Sequence, residues 1–180
     1  MRYYTMEQEF DRVDSFVIAE SPDIQPPAPW YSGLRFAKPP SEPIVMTLES
    51  GSVMPDFFDA GVPVFSAKLC EILRSFGVTN FDAYPVSLLD PVRGCTYEGR
   101  FAVNVVGLAA CADMQNSVYL DPTGQGLISV FFSQLKINSA RASGLHLFRL
   151  AESVGELVVS EMLVERLQAS NLVAVRFLPA

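Results

Sequence analysis

One helical phrase occurs twice in this chain, and the repetition constrains the fold more than any other feature. The two copies lie 94 positions apart and share a serine, two leucines and a turn residue at the same spacing: Ser66, Leu69, Leu73 and Gly77, then Ser160, Leu163, Leu167 and Asn171. Serine is a favoured helix N-cap, leucines at this spacing share one helix face, and Gly or Asn accepts the left-handed backbone that ends a helix. The sequence therefore predicts two capped helices, each preceded and followed by strand-like sequence.

The composition indicates a folded chain with little charge. Of 180 residues, 49% are hydrophobic and 18% are charged, whereas about 25% are charged in ordinary soluble domains. A chain of this length can bury a core without disulfides, either as one domain or as two small lobes that share a core. The low charge indicates either an unusually full core or an apolar surface reserved for a partner.

The charge balance bears on the class of partner. Thirteen basic residues against twenty acidic ones give a net charge of −7, and the basic residues are scattered. Nucleic-acid binding is not expected, because it needs a basic stripe that neutralises phosphates. An acidic protein favours a partner with a basic face, although solubility alone can also explain this charge.

Cysteine and histidine are too few for a disulfide framework or a zinc site. The three cysteines have no Cys-x-x-Cys spacing and there is one histidine, so we expect reduced thiols and neither cofactor nor metal. Acidic residues follow at once after the N-terminus, unlike a signal peptide, and the nearly uncharged stretch 101–112 is too short to span a bilayer as a helix. A soluble cytoplasmic protein without a membrane partner is expected.

A proline-rich segment divides the N-terminal part of the chain. Seven prolines lie between residues 22 and 43, with Trp30 and Tyr31 near the middle. Proline fixes φ and removes a backbone donor, so a long extended loop is predicted. Residues 1–60, strands plus this loop, are interpreted as part of the same fold as a core formed by 61–180.

Strand-like segments make up most of the remaining sequence. Apolar alternation or short apolar runs indicate strands at 13–20, 44–48, 81–89, 97–106, 118–120, 127–137, 145–150 and 172–178. Pro85 would restrict its strand to an edge or a bulge. The alternation places Asn104 outward, and it places Leu127 and Phe131 together on one side with Leu135.

Many short strands with two to three helices, not in regular alternation, indicate an α+β fold with a mixed or antiparallel sheet in a single compact domain. The repeated phrase is compatible with an internal duplication in which each half contributes a helix and its flanking strands. The alternative is that any capped amphipathic helix looks like this, because the remainder of the two halves does not align.

The sequence points to no catalytic residues. His146 is the one histidine, and no nucleophile motif accompanies it. Several carboxylates lie near predicted turns, where capping explains them as well as acid–base chemistry does: Asp56, Asp59, Asp82, Asp90, Asp113 and Asp121. A small hydrolase or transferase that uses these groups remains an alternative hypothesis.

Two aromatic pairs are the candidates for binding a partner: Trp30 with Tyr31, and Phe57 with Phe58. Aromatic side chains in proline-held loops are suited to binding, since they offer area with little rotamer entropy to lose. The alternative is that the loop folds back and places them in the core.

From Gly61 onward the order of short phrases resembles the eleventh family of bacterial polymorphic-toxin immunity proteins. The phrases are Val62 to Phe65 with Ser66 and Leu69; Tyr84 to Val86; Tyr97 with Asn104 and Val105; Asp113 with Ser117; Leu147 to Leu150; Val158 to Glu161; and Val175 to Phe177 with Pro179. The chain departs from the family pattern at Asn171 and Ala174, where glycine is expected.

The resemblance implies a non-enzymatic protein that binds and neutralises a toxin encoded by a neighbouring gene. The family pattern marks no catalytic residues. A third hypothesis is a self-assembling structural module, in which apolar surface is buried in a homodimer.

Overall fold

A computed structural model describes residues 1–9, 18–19, 29–51 and 53–180 of the chain. These residues form two helices and thirteen strands: β1 (Tyr3–Gln8), β2 (Ile18–Ala19), β3 (Ile44–Ser50), β4 (Phe57–Asp59), β5 (Pro63–Ser66), α1 (Ala67–Phe76), β6 (Phe81–Asp90), β7 (Cys95–Val105), β8 (Leu108–Ala109), β9 (Val118–Leu120), β10 (Phe131–Gln134), β11 (Leu147–Leu150), β12 (Leu157–Ser160), α2 (Glu161–Gln168) and β13 (Val175–Pro179).

The strands form two large sheets and one ribbon. The five-stranded sheet has the order β13-β1-β12-β11-β8, the six-stranded sheet has the order β2-β3-β6-β7-β5-β4, and β9 pairs with β10 alone. Both large sheets are mixed, because β8 is parallel to β11 and β3 is parallel to β6 while the other pairs are antiparallel. The prediction of many strands in mixed sheets with two helices is confirmed; the described structure is mostly β, and its strands are divided among three sheets rather than one.

The repeated helical phrase belongs to a repeated unit of strand, helix and strand. Strands β5 and β12 begin 94 residues apart, and so do β6 and β13. Strand β7 is antiparallel to both β5 and β6, and β1 is antiparallel to both β12 and β13. In each unit, therefore, two parallel strands joined by a helix are separated by one inserted antiparallel strand.

The inserted strands explain why the two halves of the sequence do not align. In the first unit the inserted strand, β7, follows the unit along the chain, whereas in the second it is β1, from the N-terminal end. The pairing is nevertheless equivalent: Pro85 lies opposite Phe101 and Pro179 lies opposite Tyr4. The tertiary repeat is thus wider than the helical phrase, but its third strand comes from different places in the sequence.

Both helices begin as the sequence predicts. The hydroxyl of Ser66 accepts the backbone N–H of Leu69 at 3.1 Å, and Ser160 accepts that of Leu163 at 3.4 Å. Gly77 ends α1 with φ 95°. In α2 the helix ends earlier, at Gln168, while the equivalent residue Asn171 still has left-handed backbone with φ 49°.

Three clusters of buried apolar residues hold the sheets together. The central cluster combines both helices with one face of each large sheet, and includes Phe65, Leu73, Val103, Val159 and Leu167. The second lies on the other face of the six-stranded sheet, under residues 30–36. The third lies on the other face of the five-stranded sheet, where segments 109–114 and 132–145 cover it.

Several sequence predictions need qualification. Pro85 pairs with β7, and pairing of its strand with β3 starts only at Val86, so the proline lies where the strand has one neighbour. Asn104 is fully buried rather than outward, because residues 30–36 cover that face, and its side chain donates to the Leu34 carbonyl at 2.8 Å.

Parts of the N-terminal predictions fall outside the described residues. Of the strand predicted at 13–20, only Ile18–Ala19 is described, and it is a strand. Of the predicted proline-rich loop, residues 29–43 are described and contain neither helix nor strand. The division at residue 60 stays a prediction.

Candidate interaction surface

Three of the four aromatic residues predicted to bind a partner lie in the core. Trp30 is 5% exposed, Phe57 6% and Phe58 0%. The Trp30 ring packs edge-on against Phe36 at 4.8 Å and Tyr84 at 5.9 Å between centroids. The structure therefore matches the alternative in which the loop folds back. A direct role of these residues in binding stays a prediction, and in this conformation they offer a partner little surface.

Tyr31, the fourth candidate, joins two charged residues that occupy equivalent positions in the two repeated units. Its hydroxyl donates to Asp59 Oδ1 at 2.7 Å, and the Arg149 guanidinium carbon lies 4.5 Å from its ring centroid. Burial, followed by the nearby Asp59 charge, raises the pKa of Tyr31. Asp59 lies opposite Pro63 of β5, as Arg149 lies opposite Leu157 of β12.

Arg149 is a buried cation with few hydrogen bonds. It is 1% exposed, and its Nη1 donates to the Val154 carbonyl at 2.8 Å. Among the described residues, its Nε and Nη2 have no hydrogen-bond partner. Burial lowers the pKa of Arg149. The side chain is held by the Tyr31 ring and by one carbonyl rather than by a direct ion pair.

The groups proposed for catalysis have structural contacts. His146 Nδ1 lies 2.8 Å from the cap hydroxyl of Ser160, which is itself fully buried. The carboxylates hold turns, caps or ion pairs: Asp56 with Ser66 and Val173, Asp59 with Tyr31, Asp82 with Arg35, Asp90 with Arg93, Asp113 with Asn116, and Asp121 with Thr123, Gly124 and Gly126.

The described residues contain neither a metal-ligand cluster nor a helix suited to cross a membrane. In the part of the chain that the structure describes, no three or more His, Cys, Asp or Glu side chains are placed to hold a metal ion. No described helix has the length and apolar character needed to cross a membrane.

The clearest candidate for a binding surface is the segment 118–131, which we call the apolar arm. It comprises β9, the following loop and the first residue of β10. Six large apolar side chains in it are between 41% and 66% exposed: Val118, Tyr119, Leu120, Leu127, Ile128 and Phe131. Only three residues between 101 and 140 are charged. The structure therefore places an apolar, nearly uncharged segment on the surface.

The pairing of the ribbon separates an outer face from an inner one. Leu120 lies opposite Phe131, and both are about two-thirds exposed, at 66% and 64%. Tyr119 lies opposite Phe132, with ring centroids 5.9 Å apart, and Phe132 packs on the third core cluster. Of the residues that the sequence alternation places on one side, Leu127 and Phe131 are exposed and Leu135 is buried.

The loop of the arm is held in one shape by its own hydrogen bonds. Asp121 accepts the backbone N–H groups of Thr123 at 3.1 Å, Gly124 at 2.9 Å and Gly126 at 2.6 Å. These bonds lower the pKa of Asp121. Ile128 has φ 70°, which is strained for a β-branched residue, and its N–H donates to Ala151 at 2.9 Å. Strain of this kind is often found at functional sites.

A cleft of about 480 Å³ lies behind the arm, between β10 and strands β1 and β13. Its lining combines apolar and charged residues: Thr5, Glu7, Phe132, Ser133, Gln134, Leu135, Lys136, Glu156, Leu178 and Pro179. Burial, followed by repulsion from Glu7, raises the pKa of Glu156.

The model of the Immunity protein family (Imm11) matches residues 2–180. The chain belongs to this family. The match includes the first 60 residues, which the phrases recognised from the sequence did not cover. Among curated proteins, a search found no match.

The two positions at which glycine was expected from the sequence, Asn171 and Ala174, have left-handed backbone. Asn171 has φ 49° and Ala174 has φ 52°. Glycine adopts this conformation without steric cost, and Asn tolerates it better than Ala. The backbone at Ala174 is therefore locally strained.

Sequence reasoning missed the apolar arm. Its residues were interpreted as strand segments from their short apolar run and their apolar alternation, without a binding role. One signal for an exposed apolar segment was present in the sequence. The turn sequence at 121–124 is flanked by apolar residues on both sides, with almost no charged residue nearby.

Proposed function

We propose that this protein is a non-enzymatic immunity protein that binds a cognate toxin encoded by a neighbouring gene and neutralises it in the bacterial cytoplasm. Membership of Imm11 supports the general role. The observation that carries the binding proposal is the exposed outer face of the apolar arm, formed by Val118, Leu120 and Phe131.

The arm has the properties of a preorganised binding surface. Exposed aromatic and aliphatic side chains gain most when a partner removes them from water. The hydrogen bonds of Asp121 hold the loop before binding, so less conformational entropy is lost when a complex forms.

Charge and apolar area have separate roles in this proposal. The net charge of −7 would steer a toxin with a basic face toward the protein, while the nearly uncharged arm supplies contact area. The expected complex contains one copy of each protein.

The experiment is co-expression of this chain with the product of the adjacent gene, scored for rescue of growth and followed by affinity purification of the complex. Rescue with a one-to-one complex is expected, and a neighbour that is neither toxic nor bound would refute the proposal. Light scattering on the purified protein tests self-assembly, since a homodimer that buries the arm would favour the structural-module hypothesis.

The variant His146→Ala distinguishes the binding hypothesis from the enzymatic one. Its ring contacts the Ser160 cap and packs on Phe76 at 5.0 Å between centroids, so we expect some loss of stability but full rescue at a temperature where the variant is folded. Loss of rescue by a folded variant would favour the hydrolase or transferase hypothesis.

A further inference from the structure

We propose that the cleft behind the apolar arm receives one basic side chain, arginine or lysine, of the bound toxin, with Glu156 as its counter-charge. This inference rests on the proposed function and specifies the chemistry of its interface.

Of the two carboxylates that line the cleft, Glu156 is the one without an ion pair among the described residues. The other carboxylate, Glu7, is bound by Arg176, whose Nη2 lies 3.0 Å and Nε 3.2 Å from Glu7 Oε2. In the described part of the chain, no basic side chain forms a salt bridge with Glu156. A partly buried carboxylate of this kind is poorly solvated, so an entering cation would stabilise its charged form.

The remaining walls suit the stem of a long basic side chain. Phe132, Leu135 and Leu178 contribute apolar surface to the cleft. Lysine and arginine pack their methylene groups along such surface while the charged end reaches a polar group. The volume of about 480 Å³ also leaves room for solvent beside the side chain.

The cleft is continuous with the arm through β10. Phe131 is exposed on the outer face, and the next residue, Phe132, lines the cleft. Because successive side chains of a strand point to opposite faces, a toxin on the outer face would reach the cleft by extending around the edge of the ribbon. Apolar contact and a single charged insertion would then form one interface, as expected for a hot spot surrounded by apolar area.

Three other charged groups act on Glu156 or on an entering cation. Glu7 on β1 repels Glu156 but is itself paired with Arg176 on β13. Lys136, which follows β10, lines the cleft and is exposed. Lys136 forms no salt bridge with Glu156 in the described part of the chain, so the charge of Glu156 remains for a partner.

The decisive test compares Glu156→Gln with Glu71→Gln in the complex with the product of the adjacent gene. Both remove one negative charge, but Glu71 is exposed on α1 and away from the cleft. We expect Glu156→Gln to raise the dissociation constant at least tenfold and Glu71→Gln to change it less than twofold. Equal effects of the two variants would overturn the inference, and unchanged unfolding midpoints would show that both are folded.

The pH dependence of the affinity is a second test, because a purely structural role of Glu156 would not change it. Because protonation removes the counter-charge, wild-type affinity should weaken as the pH falls through the raised pKa of Glu156, whereas Glu156→Gln should show a smaller dependence. Parallel curves for the two proteins would contradict the role of Glu156.

Agmatine, an alkyl guanidine, probes the cleft of the protein alone. Chemical shift changes at Phe132, Glu156 and Leu178 are expected, and they should disappear in Glu156→Gln. If agmatine binds there but no toxin complex forms, the proposed function fails and the inference about a toxin side chain fails with it. If the complex forms and Glu156→Gln binds as tightly as wild type, only the inference fails.

Discussion

Asp56 and His146 occupy equivalent positions in the two repeated units. The carbonyl of each accepts the backbone N–H of a helix-capping serine, Ser66 at 2.9 Å and Ser160 at 3.0 Å. Each side chain also contacts that serine's hydroxyl, at 2.5 Å for Asp56 and 2.8 Å for His146. The one histidine of the chain therefore supports a helix cap, as the aspartate does in the other unit.

Removing either cap should destabilise the protein. Ser66→Ala and Ser160→Ala are each expected to lower the free energy of unfolding by about 1 to 2 kcal/mol, because each loses a bond to the helix and one to Asp56 or His146. Urea denaturation measures the free energy of unfolding of each variant. Ser75→Ala is the control: its hydroxyl is exposed near the end of α1, and a change above about 0.5 kcal/mol there would contradict the assignment.

Ala174→Gly should stabilise the protein. The alanine has φ 52°, a left-handed conformation that glycine adopts without steric strain. Glycine also makes the unfolded chain more flexible, but this cost is smaller, so we expect the free energy of unfolding to rise by about 0.5 to 1 kcal/mol. Ala169→Gly is the matched control, because Ala169 has φ −63° and should lose stability instead. Thermal and urea unfolding of both variants measure the change in the free energy of unfolding. A change of the same sign in Ala174→Gly and Ala169→Gly would refute the prediction.

Arg149→Met should cost little stability, whereas Arg149→Ala should cost about 2 to 4 kcal/mol. Methionine keeps most of the buried volume and removes the unpartnered Nε and Nη2 donors, while alanine leaves a cavity beneath Tyr31. Urea unfolding tests the pair. A loss of 3 kcal/mol or more with methionine would show that the guanidinium charge itself is needed.

The outer face of the apolar arm should be required for binding but not for folding. Leu120→Ser and Phe131→Ser are each expected to weaken the toxin complex at least tenfold while the unfolding midpoint stays unchanged, because both side chains are mostly exposed. Val92→Ser is the control, since Val92 is 85% exposed but lies in the turn between β6 and β7. Calorimetric titration measures the affinities, and an equal effect of Val92→Ser would refute the prediction.

Asp90 should make the free energy of unfolding depend on pH in the acidic range. The Arg93 side chain, at 2.7 Å, and the backbone N–H groups of Arg93 and Val92 lower the pKa of this carboxyl group. Its stabilisation is therefore complete above the ordinary aspartate pKa of about 3.9 and is lost as the pH falls through the lower folded value.

The measurement is urea unfolding of wild type and Asp90→Asn between pH 7 and pH 2. The difference in free energy should be constant down to about pH 5 and shrink below about pH 4. Arg93→Met should reduce this dependence, because it removes the largest cause of the shift. A difference that persists unchanged at pH 2 would contradict the assignment.

Local patterns in the sequence predicted the elements better than their assembly. Strands β3, β6, β7 and β9 lie close to the predicted segments. Strand β1 was missed, because Tyr3 to Gln8 mixes polar and apolar residues on both faces. Its place in the middle of a sheet depends on β12 and β13, more than 140 residues away, and no local pattern can show such pairing.

The sequence by itself determined the two capped helices, their spacing and the family, because caps, periodicity and phrase order are local properties of the chain. Only the tertiary structure decided which strand enters each repeated unit and which apolar residues stay on the surface. Phe131 and Phe132 are adjacent and identical in type, yet one is exposed and the other packs on a core. Burial depends on what packs against each face of a strand, which hydrophobicity alone does not specify.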